Sequence, residues 1–134
     1  MLRGRTPSSL QERLLDPAGL GLGRAAAGVS MVTRPGLLAG AMGVDPQTAA
    51  RTSWVVQMLG AREIAVGLGS VVGLRGDRRT RRTWLSAGLL CDAVDAVALA
   101  AAVKGKRVGA LPGAAVVAIA TTAVVIQARP LLRD

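Results

Sequence analysis

The segment from Val108 to Ala128 constrains the fold more than any other part of the chain, because it holds 21 consecutive residues without a charged side chain. A helix needs about 20 predominantly apolar residues to cross the hydrocarbon core of a bilayer. The segment also lacks the polar face that a surface helix of a soluble protein presents to water. It therefore predicts a membrane-spanning helix over residues 108–128, ended by Pro130.

The composition of the whole chain agrees with a small membrane protein. Of its 134 residues, 51% are hydrophobic and 19% are charged, and there is no Phe, Tyr or His. A soluble core of this size usually takes much of its volume from aromatic side chains. The apolar content excludes a disordered chain. The single cysteine, Cys91, excludes an internal disulfide framework, and the lack of histidine excludes a His-ligated zinc or haem site.

Two Asp-Pro pairs indicate where further helices begin. In Asp16-Pro17 and Asp45-Pro46 the aspartate can cap a helix whose first residue is the proline. No segment shows the apolar–polar alternation that predicts a strand. The sequence therefore predicts an all-α fold, a four-span transmembrane helical bundle. Its predicted helices cover residues 17–33, 46–74, 83–103 and 108–128. The predicted organisation is an N-terminal segment 1–16, a single transmembrane domain 17–128 and a C-terminal tail 129–134.

The basic residues lie mainly between the predicted helices, where such residues determine membrane topology. Ten Lys and Arg lie in the N-terminal segment, the second connection and the tail, against five in the other two connections. Because positive charge favours the cytoplasmic side, the count predicts a multi-pass protein of the inner or plasma membrane with both termini in the cytoplasm. The arginines predicted to anchor this topology at lipid headgroups are Arg75, Arg78, Arg79, Arg81 and Arg82. Trp54 and Trp84 are predicted to be anchors at the membrane interface.

The formal net charge of +9 raises nucleic-acid binding as a function class. Binders of single strands stack bases on aromatic side chains, and the aromatic residues here are Trp54 and Trp84 alone. Because the positive charges separate long apolar stretches, nucleic acid is not a predicted partner. The predicted partners are the lipid bilayer and, within it, other membrane-protein subunits or further copies of the chain.

Five ionisable residues interrupt the predicted spans and are the candidate functional residues: Arg24, Arg62, Glu63, Asp92 and Asp95. With a rise of 1.5 Å per residue, Glu63 lies about 13 Å along its helix from Trp54, and Asp92 lies about 12 Å from Trp84. Both acids therefore reach the middle of the bilayer, where charged groups pair with one another or line a wet cavity. We expect the five residues to meet in one intramembrane polar network.

The charges of these five residues do not balance. Two arginines and three carboxylates sum to −1 when all are ionised. A net charge is costly at this depth, so one carboxyl is expected to hold a proton or to recruit a cation. Asp92 and Asp95, which share a face of one helix, are the pair expected to share that proton.

Glycines four residues apart allow helix backbones to approach closely in lipid, and three such pairs are expected to pack inside the bundle. The pairs are Gly19 with Gly23, Gly36 with Gly40, and Gly69 with Gly73.

Three stretches carry a resemblance to a known family. They are Leu22-Gly23-Arg24 with Gly28, the stretch from Gly60 to Gly67, and Asp92 with Asp95-Ala96. Over residues 18–128 the chain resembles a family of small four-helix integral membrane proteins, a domain of unknown function found in actinomycete-type bacteria and in fungi. The first stretch lacks one residue of the pattern in the second. The resemblance implies a four-span bundle and no particular activity.

Two functional interpretations remain open on the sequence. The first is a structural or accessory helical bundle, or a subunit of a larger membrane assembly, held together by intramembrane ion pairs. The second is a small proton- or cation-linked transporter, or a ligand-binding membrane protein, that uses Glu63, Asp92 and Asp95. The chain shows no nucleophile with a positioned base and no metal-ligand set, so neither an enzyme nor a cofactor is predicted.

Overall fold

The computed structural model describes residues 16–133, which form six α-helices and no strand. The prediction of an all-α fold is confirmed. Apart from Asp16, the predicted N-terminal segment lies outside the described residues, as does the last residue of the predicted tail. The helices are α1 (Pro17–Thr33), α2 (Pro35–Ala41), α3 (Pro46–Arg51), α4 (Ser53–Arg75), α5 (Arg78–Lys104) and α6 (Ala110–Arg133).

Both Asp-Pro pairs begin helices in the predicted way. The Asp16 carboxylate accepts a 2.6 Å hydrogen bond from the backbone N–H of Gly19. The Asp45 carboxylate accepts hydrogen bonds from the backbone N–H groups of Gln47 at 3.1 Å and of Thr48 at 3.0 Å. These bonds satisfy N–H groups that have no partner within the first turn of a helix.

The prediction of one continuous helix over 46–74 is wrong, because the helix is interrupted at Thr52 and divides into α3 and α4. Thr52 has φ −102° and ψ 5°, outside the α-helical region. The hydroxyls of Thr52 and Ser53 donate hydrogen bonds to the carbonyls of Thr48 and Ala50, at 2.8 and 2.9 Å. Hydroxyl groups that bond to nearby carbonyls compete with the regular helix ladder. The long helix therefore starts again at Ser53.

The predicted third helix starts too late, since α5 begins at Arg78 and not at residue 83. Asp77 caps it by accepting a 2.7 Å hydrogen bond from the backbone N–H of Thr80. This bond lowers the pKa of the exposed Asp77 carboxyl from its ordinary value. Four of the arginines assigned to a loop therefore lie in the first turns of α5, and the fifth is the last residue of α4. The four are Arg78, Arg79, Arg81 and Arg82, and the fifth is Arg75.

The predicted fourth helix also has different ends. It begins at Ala110 and continues past Pro130 to Arg133, so the expected stop at Pro130 is wrong. A proline within a helix removes one backbone hydrogen bond and crowds the carbonyl four residues before it, which can bend the helix without ending it. Most of the predicted tail 129–134 is therefore helical.

The four longest helices pack as antiparallel pairs. Helix α1 lies along α4, with Gly21 opposite Gly67 and Gly28 opposite Gly60. Helix α6 lies along α5, and α5 also packs on α4. The short helices α2 and α3 lie at the end of the bundle where α1 ends and α4 begins. There, the Gly109 N–H donates a 3.0 Å hydrogen bond to the Met42 carbonyl.

The exterior of the bundle is apolar and its interior is polar at the centre. Sixteen large hydrophobic side chains are exposed among the described residues, and only seven hydrophobic residues are buried. Leu111 and Val97, for example, are 85% and 72% exposed. An apolar exterior of this extent needs a nonaqueous environment or a covering partner.

Three helices are long and apolar enough to cross a membrane: α4, α5 and the Ala110–Arg129 part of α6. This assignment rests on length and composition. Helix α1, with 17 residues, is shorter than these three. The prediction of four spans is therefore not confirmed.

Candidate functional site

The contact between α1 and α4 holds the first charged residue in place. A Cβ atom on Gly28 would lie 2.5 Å from the Gly60 carbonyl oxygen, and a Cβ on Gly21 would lie 2.8 Å from that of Gly67. Only glycine allows the two backbones to approach this closely. Arg24 lies between these two crossing points on α1, so its side chain enters the bundle where the helices are closest.

Arg24 is the centre of an enclosed group of polar side chains. Its Nη1 donates to Asp92 Oδ2 at 2.7 Å, and its Nη2 donates to Glu63 Oε1 at 3.1 Å. Its Nε lies 2.9 Å from the other Glu63 oxygen. The Arg24 and Asp92 side chains are only 7% and 10% exposed. One guanidinium therefore joins carboxylates from two other helices in a site closed to solvent.

Gln127 of α6 completes this enclosed group, and it is not among the residues predicted from the sequence. Its Nε2 donates to Asp92 Oδ2 at 2.5 Å and to the Ala123 carbonyl at 3.2 Å, and the residue is 2% exposed. Gly88 of α5 makes the space, because a Cβ there would overlap the Gln127 amide oxygen. A signal existed in the sequence, since Gln127 is the only amide side chain in the uncharged segment 108–128. We call Arg24, Asp92 and Gln127 the closed half.

The second arginine forms a more accessible group. Arg62 donates through Nη1 to Asp95 Oδ1 at 3.1 Å and through Nη2 to Asp95 Oδ2. It also donates through Nε and Nη2 to Glu63 Oε1, at 3.3 and 3.0 Å. The side chains of Arg62 and Asp95 are 31% and 40% exposed. We call Arg62 and Asp95 the open half.

Glu63 joins the two halves, since its carboxylate contacts both arginines and is 15% exposed. The structure thus brings together all five ionisable residues that the sequence singled out. It arranges them differently from the expectation of a shared proton. Asp92 and Asp95 are bonded to different arginines and face different surroundings, so the geometry does not pair them with each other.

A cavity of about 410 Å³ opens beside the open half. Its polar residues are Arg62, Glu63, Asp95 and Thr52, and the rest of its wall is apolar. The apolar wall includes Met31, Leu38, Met42, Leu99, Ala102 and Val116. The volume lies in the range typical of small-molecule sites, about 300–1,000 Å³. Asp92 does not line this cavity, so only two of the three acids proposed for ligand binding face it.

The two tryptophans lie in different environments. Trp54 is 61% exposed near the start of α4. The Trp84 ring lies against Gly69 and Gly73 of α4, where a Cβ on Gly69 would overlap it. Gly69 and Gly73 therefore form a recess for a tryptophan. By contrast, a Cβ at Gly23, Gly36 or Gly40 would meet nothing within 4 Å. The prediction that these three glycines allow close helix packing is therefore wrong.

The arginines at the junction of α4 and α5 lie at one end of the bundle. Arg78, Arg79 and Arg82 line an open surface depression together with Thr83 and Ser86. No group of three or more His, Cys, Asp or Glu side chains within the described residues is arranged to hold a metal ion.

Comparison of the chain with protein-family models, with curated proteins and with solved structures gives no match. The resemblance to the family of small four-helix membrane proteins stays a prediction.

Proposed function

We propose that the chain is a multi-pass protein of the plasma membrane in which α1 is a fourth span. At 1.5 Å per residue α1 is about 25 Å long, somewhat less than the roughly 30 Å of a bilayer core. Its antiparallel contact with α4, from Gly21–Gly67 to Gly28–Gly60, supports this assignment. A helix that carries a buried arginine into the middle of the bundle has to lie at the same depth as its partners.

The proposed orientation places both termini in the cytoplasm. Antiparallel packing of the four long helices puts the start of α1, the α4–α5 junction and the end of α6 at one end of the bundle. That end carries the arginines at Arg75 and Arg78 to Arg82, whereas α2, α3 and the α5–α6 connection lie at the other. The positive-inside rule then supports a cytoplasmic location for the arginine-rich end.

Within the membrane, the proposed function is that of a structural or accessory bundle, by itself or as a subunit of a larger assembly. The observation that carries this proposal is the charge network, in which side chains of α1, α4, α5 and α6 bond to one another at the centre. Buried polar groups that must find specific partners can define which helices pack together. The apolar exterior is then available to lipid and to neighbouring subunits.

A second candidate function, the binding or transport of a small ligand, is favoured by the cavity beside Arg62, Glu63 and Asp95. A purely structural network has no need of a cavity that reaches its charges. Asp92 belongs to the closed half and has no part in this candidate function.

Extraction with a mild detergent, followed by affinity purification and mass spectrometry, tests the two functions. An accessory role predicts that defined membrane proteins, or further copies of the chain, co-purify with it at a fixed ratio. The control is Arg24→Gln, which breaks the closed half and should lose these partners. A monomer that carries no protein but retains a small molecule would contradict the accessory role and favour ligand binding.

A further inference from the structure

The cavity beside the open half combines an apolar wall with one charged end. Most of its surface comes from aliphatic side chains and methionines of α1, α2, α4, α5 and α6, while the charged residues Arg62, Glu63 and Asp95 lie together. A site of this kind fits a molecule with an apolar body and a single polar group.

The charge at that end identifies the polar group. In the closed half, Arg24 and Asp92 balance each other, and Gln127 supplies a further donor to Asp92. Glu63 is bonded to both arginines, whereas Asp95 is bonded to Arg62. The five side chains carry two positive and three negative charges when all are ionised, and two of the three carboxylates, Glu63 and Asp95, line the cavity.

Asp95 is the carboxylate that a ligand can reach. It is 40% exposed, against 15% for Glu63, and only one arginine is bonded to it. An anionic ligand would have to displace a carboxylate from Arg62 and would raise the negative charge of the site. A cation restores neutrality without breaking the network, and attraction between opposite charges is stronger in an apolar environment than in water.

We infer that this cavity binds an amphiphilic cation, with its ammonium group at Asp95 and its apolar body against the wall formed by α2, α5 and α6. The inference rests on the second candidate function and names the ligand class for it. Entry from the membrane suits such a molecule, because amphiphiles concentrate in the bilayer.

Three probes with the same alkyl chain test this inference: decylamine, decanol and decanoate. Binding to the purified full-length protein in a sugar-headgroup detergent is measured by titration calorimetry. We expect saturable binding of decylamine, with decanol weaker and decanoate weakest. A charge-assisted hydrogen bond contributes about 1.5–3 kcal/mol, so Asp95→Asn should weaken decylamine binding about tenfold or more and leave decanol binding unchanged.

Two alanines that are neighbours on α5 provide a matched control. Ala102 lines the cavity, whereas Ala101 is exposed and does not. Ala102→Phe should fill the cavity and abolish decylamine binding, and Ala101→Phe should bind as the wild type does. Because both variants add the same side chain to the same helix, partition of the probe into the detergent affects them equally. Circular dichroism of each variant verifies that its helices are retained.

The outcomes separate the ligand class from the binding function itself. Equal binding of decylamine and decanol, or stronger binding of decanoate, would overturn the cationic class but leave a ligand-binding cavity. Failure of all three probes, or equal binding by both phenylalanine variants, would overturn ligand binding at this cavity and with it the inference. The accessory function would not be affected by either result.

Discussion

Replacing Arg24 with glutamine removes the positive charge from the closed half while keeping a polar side chain of similar length. Asp92 then remains buried with Gln127 as its hydrogen-bond donor and without an opposite charge. Glu63 keeps its bonds to Arg62. Removing one partner of a buried ion pair costs about 3–5 kcal/mol, because the remaining charge is left uncompensated. We expect Arg24→Gln to lower the free energy of unfolding by an amount in this range.

Replacing Arg62 with glutamine should lower the free energy of unfolding by much less. Asp95 is 40% exposed and borders the cavity, where we expect water to reach it, and Glu63 keeps its contacts with Arg24. Pairs that are accessible to solvent contribute about 0–1 kcal/mol. We therefore expect Arg62→Gln to cost about 1 kcal/mol or less, although both residues are arginines in apolar helices.

Reversible unfolding in mixed micelles, followed by far-UV circular dichroism as sodium dodecyl sulfate is added, measures both free energies. Arg51→Gln, which changes an exposed arginine at the end of α3, is the control for loss of a positive charge. Adding Asp92→Asn to Arg24→Gln should recover part of the lost stability, since the second change removes the unpaired charge. If Arg62→Gln proves as damaging as Arg24→Gln, the division into a closed and an open half is wrong. If both resemble Arg51→Gln, the network does not hold the bundle together.

Two further predictions concern helix packing and topology. Gly28→Ala places a Cβ 2.5 Å from a backbone carbonyl of α4 and should lower the free energy of unfolding by about 1–3 kcal/mol in the same assay. Gly23→Ala meets open space and should leave this free energy unchanged. Equal effects of the two changes would contradict the close α1–α4 contact. For topology, single cysteines in a Cys91→Ala background are labelled in intact cells with an impermeant maleimide. Four spans with cytoplasmic termini predict that Ser8→Cys and Gly76→Cys are protected and that a cysteine near residue 110 is labelled. Labelling of Ser8→Cys would leave three spans. Labelling of Gly76→Cys would refute the orientation.

Local interactions made part of the fold predictable. Asp16-Pro17 and Asp45-Pro46 begin helices because capping depends on a side chain and backbone groups within three residues of it. The long uncharged segment after residue 108 is helical for a similarly local reason, since an apolar chain satisfies its backbone groups by bonding along the helix. The errors were local as well. The Asp77 cap and the hydroxyl bonds of Thr52 and Ser53, which set the starts of α5 and α4, each join groups at most four residues apart.

The glycine contacts show why packing was harder to predict. A spacing of four residues predicts close helix packing at pairs such as Gly36 and Gly40, but these two glycines have open space around them. The α1–α4 contact uses glycines seven residues apart on each helix, Gly21 with Gly28 and Gly60 with Gly67. The spacing of the glycines at a helix contact depends on the angle at which the two helices cross. That angle is not a property of either helix by itself.

By itself, the sequence determined that the chain is helical, that a helix begins at each Asp-Pro pair, and that five charged residues interrupt apolar segments. These properties follow from backbone hydrogen bonding and from the cost of burying charge, and both can be evaluated one segment at a time. Only the tertiary structure decided which carboxylate pairs with which arginine. Two aspartates three residues apart on α5 differ in this respect, because Asp92 faces α1 and Gln127 of α6, whereas Asp95 faces Arg62 of α4 and the cavity. Pair formation depends on the angles and distances between helices, which arise only when all of them pack together.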